Sequence, residues 1–325
     1  MRRQRIFVFR GEHEDDFVCC EMYRTFCNTH DIDLEEFSVH DEDYIAKVFD
    51  SFSEDPGSVL ALMSHSLYIF NHLSDEENLL HTKMGLPLIV YWHDHPAYFM
   101  ELVPDRLENT IVVFGSVEHE RFWLRFRNDN TDTFVATIFA GTKWIEPDSL
   151  SYESYLARQP FIFAPMHLSL HERSADEWWE VCDNLDEPLG GIAKEVISAM
   201  IDDPTASFDQ LIDESVLRQG IELDKDNRLV LTCVVDSFTK MWRRTVVINA
   251  LIEFPIVISS KHIPDIYKGK YEYKFVDTNG RQTLVNYKNF RYILNVSPAI
   301  PDLVHDRQLN CVVSGGTLIS ESNMG

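Results

Sequence analysis

Three short stretches of this chain carry residue types that can do chemistry. His305-Asp306-Arg307 stands ahead of a segment with apolar residues at Leu309, Val312 and Val313. That spacing is helical, and Asp306 is a suitable N-cap. A guanidinium at the mouth of a helix suits a diphosphate, because the first amides and the dipole favour negative charge and Arg can bind two phosphate oxygens at once. The same residues also make an ordinary capped surface helix with a solvated Arg. His93-Asp94-His95-Pro96 directly follows an apolar run, and Pro96 biases His95 away from helix. Asp94, with His95 second, could serve there as general base on an acceptor hydroxyl. The two His and the Asp could also ligate a metal, but no further ligand is identifiable and none is expected. Equally, the Asp could satisfy turn amides while His95 packs on aromatics. The third stretch is Arg10-Gly11-Glu12-His13-Glu14-Asp15-Asp16. With one Gly and several acids it is a poor phosphate cradle and better suited to hydroxyls, with Glu12 and His13 foremost. Glu14, Asp15 and Asp16 would also favour the first turn of a helix through its dipole.

Each stretch needs a strand ending just before it. Residues 6–9 and 86–92 are continuous apolar runs of the kind found in buried parallel strands. Residues 292–296 are a third, followed by the helix from Asp306, a stop at Gly315-Gly316 and a strand over 317–320. Strand, loop, helix and strand in that order are the unit of a parallel α/β sheet, where ligands bind outside the carboxyl ends of strands. Further strands are read at 37–39, 59–63, 66–71, 110–114, 134–139, 161–166, 254–260 and 273–276. Helices are read at 17–26, 44–53, 76–84, 118–126, 175–184, 192–202, 208–220, 229–252 and 284–290, with 142–157 as a linker.

The chain has 325 residues, 45% of them apolar and 12% aromatic, enough for two domains with real cores. Asp plus Glu number 53 against 29 Lys plus Arg, a formal charge of −24. Such a field repels nucleic acid and anionic membranes. It would also repel a phosphorylated substrate, so such a site needs local cations. Arg307, Lys288 and the Arg243-Arg244 pair are the candidates. No apolar run approaches a membrane span and no signal-peptide pattern opens the chain. The six Cys form no CxxC pair and two are adjacent, which reads as reduced thiols in a cytoplasmic protein.

H-D-R-x-L with a following Gly-Gly and strand, the opening IFVFRGEHEDDF, and LPLIVYWHDHPAYF occur in that order. Together they resemble the CgeB-like, spore-maturation-type glycosyltransferases of the GT-B fold. The resemblance implies two Rossmann-like domains, 1–150 on the acceptor side and 158–325 binding a nucleotide sugar, with a helical insertion at about 170–250. It implies metal-independent transfer of a sugar from a nucleotide diphosphate to a hydroxyl acceptor in the interdomain cleft, with no cofactor. Donor-site residues carried over are His305, Asp306, Arg307, Asn310, Gly315, Gly316 and Glu321; Asp94, His95, Glu12 and His13 fall on the catalytic side. Asn310 stands where the family often has an acid for the ribose. Pro165-Met166-His167-Leu168 replaces a Gly/Ser-rich loop, and Ser259-Ser260 replaces a Gly, which speaks against a phosphate role for the first of these loops. The second domain reads as C-terminally incomplete by the family pattern, leaving a sheet edge for a protein partner to cover. These departures support an alternative expectation, a non-catalytic binding or partner protein derived from the same fold.

Overall fold

The structure, a computed structural model, describes residues 3–11, 14–64, 69, 74–75, 78–92, 94–104, 107–127, 131–136, 151–169, 173–278, 280–296 and 305–320. Two compact units divide the chain, Met1–Thr142 and Lys143–Gly325. Both are α/β, each built on a parallel sheet of the Rossmann-like kind.

In the first unit β1 (Arg5–Arg10) buries Phe7, Val8 and Phe9, as the continuous apolar run requires. α1 (Glu14–Thr29), β2 (Asp33–Ser38), α2 (Tyr44–Glu54) and β3 (Val59–Ser64) follow. Then come the two-residue strands β4 (Ser74–Asp75) and β5 (Asn78–Leu79), α3 (Leu80–Met84), β6 (Leu88–Trp92), β7 (Thr110–Phe114), α4 (Val117–Phe126) and β8 (Asp132–Val135). The sheet order is β2-β1-β3-β6-β7-β8, every pair parallel. The chain reverses direction across the sheet between β1 and β3, so the loop after β1 lies at the switch point of this unit.

Several sequence expectations shift here. The helix expected over 76–84 keeps only its last turn, because Ser74-Asp75 pairs back antiparallel on Asn78-Leu79. The second strand begins earlier than 37, its polar start tolerated at the sheet edge beside β1. The strand expected over 134–139 runs over Asp132–Val135, and most of 66–71 lies outside the described residues.

The second unit opens with α5 (Tyr152–Ala157), inside the stretch read as linker. Ser151 caps it by accepting the Ser154 N–H at 3.0 Å. β9 (Gln159–Pro165) leads into α6 (Ala175–Asp183), α7 (Leu189–Asp202), α8 (Phe208–Gln219) and the long α9 (Lys225–Leu251). β10 (Ile256–Ser259), β11 (Phe275–Val276), α10 (Gly280–Asn289), β12 (Phe290–Asn295), α11 (Asp306–Val313) and β13 (Thr317–Ser320) complete it. The sheet order is β11-β10-β9-β12-β13, all parallel, with β11 and β13 at its edges.

Alternation along the strands sorts its two faces. Ala164, Ile258 and Leu294 pack with Ile248 and Ile252 from the end of α9 and its cap. Phe163 and Ile293 point the other way, onto Tyr287 of α10 and Cys311 of α11. The first half of α9 leaves the sheet and forms a separate helical core with α6, α7 and α8, including Ile192, Val196, Phe208, Ile212, Val235 and Phe238. The helical insertion read from the sequence is therefore the crossover between β9 and β10. Among the described residues no helix is long and apolar enough to cross a membrane.

Candidate anion-binding site

The second sheet's order fixes where a ligand site is expected. Connections leave β9 toward β10 and leave β12 toward β13, in opposite directions, so the switch point lies between the carboxyl ends of β9 and β12. The segment after β9 is anchored by Met166 and Leu168, both buried. His167 between them is exposed. The Leu168 N–H donates to Ser260 Oγ at 3.4 Å, and Ser260 Oγ donates to the His262 carbonyl at 2.8 Å. The loops after β9 and β10 are thus tied side by side. From α9, Arg244 Nη1 donates to the His167 carbonyl at 3.0 Å.

Across the switch point α11 begins. His305 Nδ1 accepts the Arg307 N–H at 3.3 Å, and Gln308 Oε1 accepts the His305 N–H at 3.2 Å, a reciprocal cap with His in the place usually taken by Ser or Thr. The Gln308 amide goes to the His305 carbonyl at 3.0 Å. The Arg307 and Gln308 amides expected to cradle phosphate are therefore engaged within the cap itself, which leaves an anion mainly side-chain charge. Arg307 is partly buried, and its Nη1 is enclosed with no hydrogen-bond partner among the described residues. Desolvation by surrounding protein holds the His167 pKa below its ordinary value, and the charges of Arg244, Arg307, Lys261 and His262 push it further down. Four basic groups from three other chain segments thus act electrostatically on His167, in a chain carrying a formal charge of −24.

The other candidates separate. Arg243 is buried and gives its guanidinium to the Pro204 carbonyl, so only Arg244 of the pair belongs to the cluster. Lys288 is exposed on the last turn of α10, just before β12, which is the amino edge of the sheet. Gly315 and Gly316 also sit at that edge. Gly315, at φ +67, and Gly316 close α11 by donating to the Val312 and Cys311 carbonyls, both at 3.0 Å. Arg158, just ahead of β9, donates to the Ser314 carbonyl beside them at 2.7 Å. The two glycines therefore lie a helix length, about 12 Å, from Arg307. A Cβ on Gly316 would come 3.2 Å from Cys311 Sγ and 3.3 Å from Ile293 Cγ1, so this residue lets helix and strand pack closely. Asn310, expected at the ribose, is 1% exposed. Asp306 opens α11. Glu321 lies outside the described residues.

In the first unit the turn after β6 splits its candidates. Asp94 is exposed. His95 is 1% exposed, accepts the Ala97 N–H on Nδ1 at 3.2 Å, and meets His119 and Phe122 of α4 edge-on at 5.0 and 4.5 Å. It is a packed turn residue. Glu12, His13 and His93 lie outside the described residues. No group of three or more His, Cys, Asp or Glu among the described residues is arranged to hold a metal ion.

Sequence reasoning missed His167, Lys261 and His262 as site residues. The signal was present, since each follows an apolar strand by a residue or two, as His305 follows the 292–296 run at greater distance. No family model, curated protein or solved structure matches this chain, so the glycosyltransferase resemblance rests on its motifs.

Proposed function

We propose that this chain is a glycosyltransferase whose second unit holds the diphosphate of a nucleotide-sugar donor on the cluster of His167, Arg244, Lys261, His262 and Arg307. The observation that carries this reading is that those basic residues follow the carboxyl ends of β9 and β10 and start α11, with Arg244 tied to the His167 carbonyl. Breaking the bond from sugar to diphosphate adds negative charge to the leaving group, and fixed cations stabilise that charge as it develops. Asp94, exposed at the carboxyl end of β6, is the proposed base that takes the acceptor hydroxyl's proton. Inward-turned His95 would hold the turn and is not assigned the proton.

The test is a thermal-shift screen with UDP, GDP, TDP and CDP and their common sugars, without added metal. A ligand that binds only the folded chain raises its apparent stability, by about 2.7 kcal/mol at a hundred times Kd. One diphosphate should shift the transition, Arg307→Ala should abolish the shift, and Asp94→Asn should keep it while lowering transfer. Absence of any shift would remove the donor site. The engaged amides of α11 and the burial of Asn310 favour a second reading, a binding protein that holds a diphosphate without transferring sugar. That reading requires a shift with no turnover in the wild type.

A further inference from the structure

We propose that His95 is a positioning residue that works only while it is neutral: together with His119 it latches the turn after β6, closed at neutral pH and released by acid. The latch rests on the geometry of the turn, and its bearing on catalysis rests on the reading of Asp94 as the base.

β6 ends at Trp92, and the chain then makes a single 3-10 turn over Pro96–Tyr98. Pro96 has no N–H, so Ala97 carries the first amide of that turn. Ala97 is buried, and its amide donates to His95 Nδ1 at 3.2 Å. A ring nitrogen that accepts an N–H carries no proton of its own, so His95 here is the neutral tautomer with its proton on Nε2. The Tyr98 N–H goes to the His95 carbonyl at 3.2 Å, and the Phe99 N–H to the Pro96 carbonyl at 3.0 Å. Phe99 meets Trp92 edge-on at 4.8 Å, which ties the turn back to its own strand. Asp94 lies between these ties, exposed and next to the residue that makes the first of them.

The His95 ring also packs on α4, with His119 at 5.0 Å and Phe122 at 4.5 Å between ring centres. His95 is 1% exposed and His119 is fully enclosed. A proton arriving on Nδ1 turns the acceptor into a donor and sets it against the Ala97 N–H. It also puts a charge in a place shut off from water, with a second imidazole as neighbour, and each of these opposes it. Asp94, the carboxylate on the same turn, is exposed, so water weakens its attraction for that charge. An open turn hydrates both rings and takes their protons freely. Closure therefore weakens as pH falls through the ordinary imidazole range, around 6.5. The opening equilibrium gains up to roughly tenfold per pH unit for one proton taken up, and up to roughly a hundredfold if both rings take one.

Hydrogen exchange of the full chain without ligand, from about pH 7.5 to about pH 5, reads the latch across that range. Each rate is divided by that of an unstructured peptide at the same pH. Protection of the peptide covering 94–100 should fall by roughly tenfold or more, while β7 keeps its protection. His95→Asn puts in the acceptor's place an amide oxygen that takes no proton. Its turn should stay closed in acid. His119→Phe removes one of the two protons, so its loss of protection should be shallower than that of the wild type. Nitrogen NMR of the wild-type imidazoles gives a reading that needs no variant: His95 at neutral pH should show a bare Nδ1. A protonated Nδ1 at neutral pH, wild-type protection that does not change with pH, or an equal loss in His95→Asn would each overturn the latch. None of these readings uses substrate, so they stand apart from the base assignment, which turnover of Asp94→Asn decides.

Discussion

His81 and His167 sit in different units, yet the pKa of each is held below its ordinary value. His81 Nε2 donates to the Glu108 carbonyl at 2.7 Å, while its Nδ1 is enclosed without a partner among the described residues. Desolvation lowers its pKa against the pull of that carbonyl, as desolvation and neighbouring cations lower that of His167. A lowered histidine pKa means that the folded chain binds fewer protons than the unfolded one. Stability then rises with pH from the folded pKa up to the unfolded value near 6.5 and is complete above it. Without ligand, the denaturation midpoint should fall as pH drops below about 6.5, and histidine NMR should show both rings titrating below that value. Rings that titrate at the unfolded position would contradict this. The thiols are shielded in the same way: burial raises the Cys182 and Cys311 pKa values to about 11.

At the scale of elements, α9 is held to its neighbour by charge as well as by packing. Arg228 is buried, pairs with Asp209 and donates to Asp213 at 2.6 Å and to the Asp209 carbonyl at 3.1 Å. Removing one partner of a buried pair leaves the other uncompensated, at a cost of about 3–5 kcal/mol. Arg228→Met should therefore destabilise the second unit by roughly that amount in denaturant titration; a loss below about 1 kcal/mol would mark the pair as solvated. Most elements were legible in the sequence because period and punctuation agreed. The 292–296 run, the Asp306 start and the Gly315-Gly316 stop all correspond to observed elements. What periodicity could not separate was Arg243 from Arg244. The two are adjacent on one helix, and which one meets a carbonyl 39 residues back and which meets one 77 back depends on tertiary packing. For His95 the sequence left open both a base and a residue packed on aromatics, and the approach of α4 decides for packing.

At the scale of the molecule, the chain carries a formal charge of −24, and Arg244, Lys261 and Arg307 act together on His167 in the second unit. Ligand protection should follow that division. Hydrogen exchange with saturating pyrophosphate should slow peptides covering 165–169, 260–263 and 305–309, and should leave the strands of the first unit unchanged. Uniform slowing of both units would argue for a different site. α9 adds a mechanical property. It is one unbroken helix, clamped in the sheet core at Ile248 and in the helical core from Leu231 to Met241. Measured from Ile248, Arg244 lies about 6 Å along the axis and Lys225 about 35 Å. A rod pivoting at that clamp gears displacements down by roughly sixfold between its far end and Arg244. Pressure on the outer end of the helical module would reach the cation cluster as a fine adjustment of one guanidinium, and an ångström of movement at the cluster would swing that outer end by several.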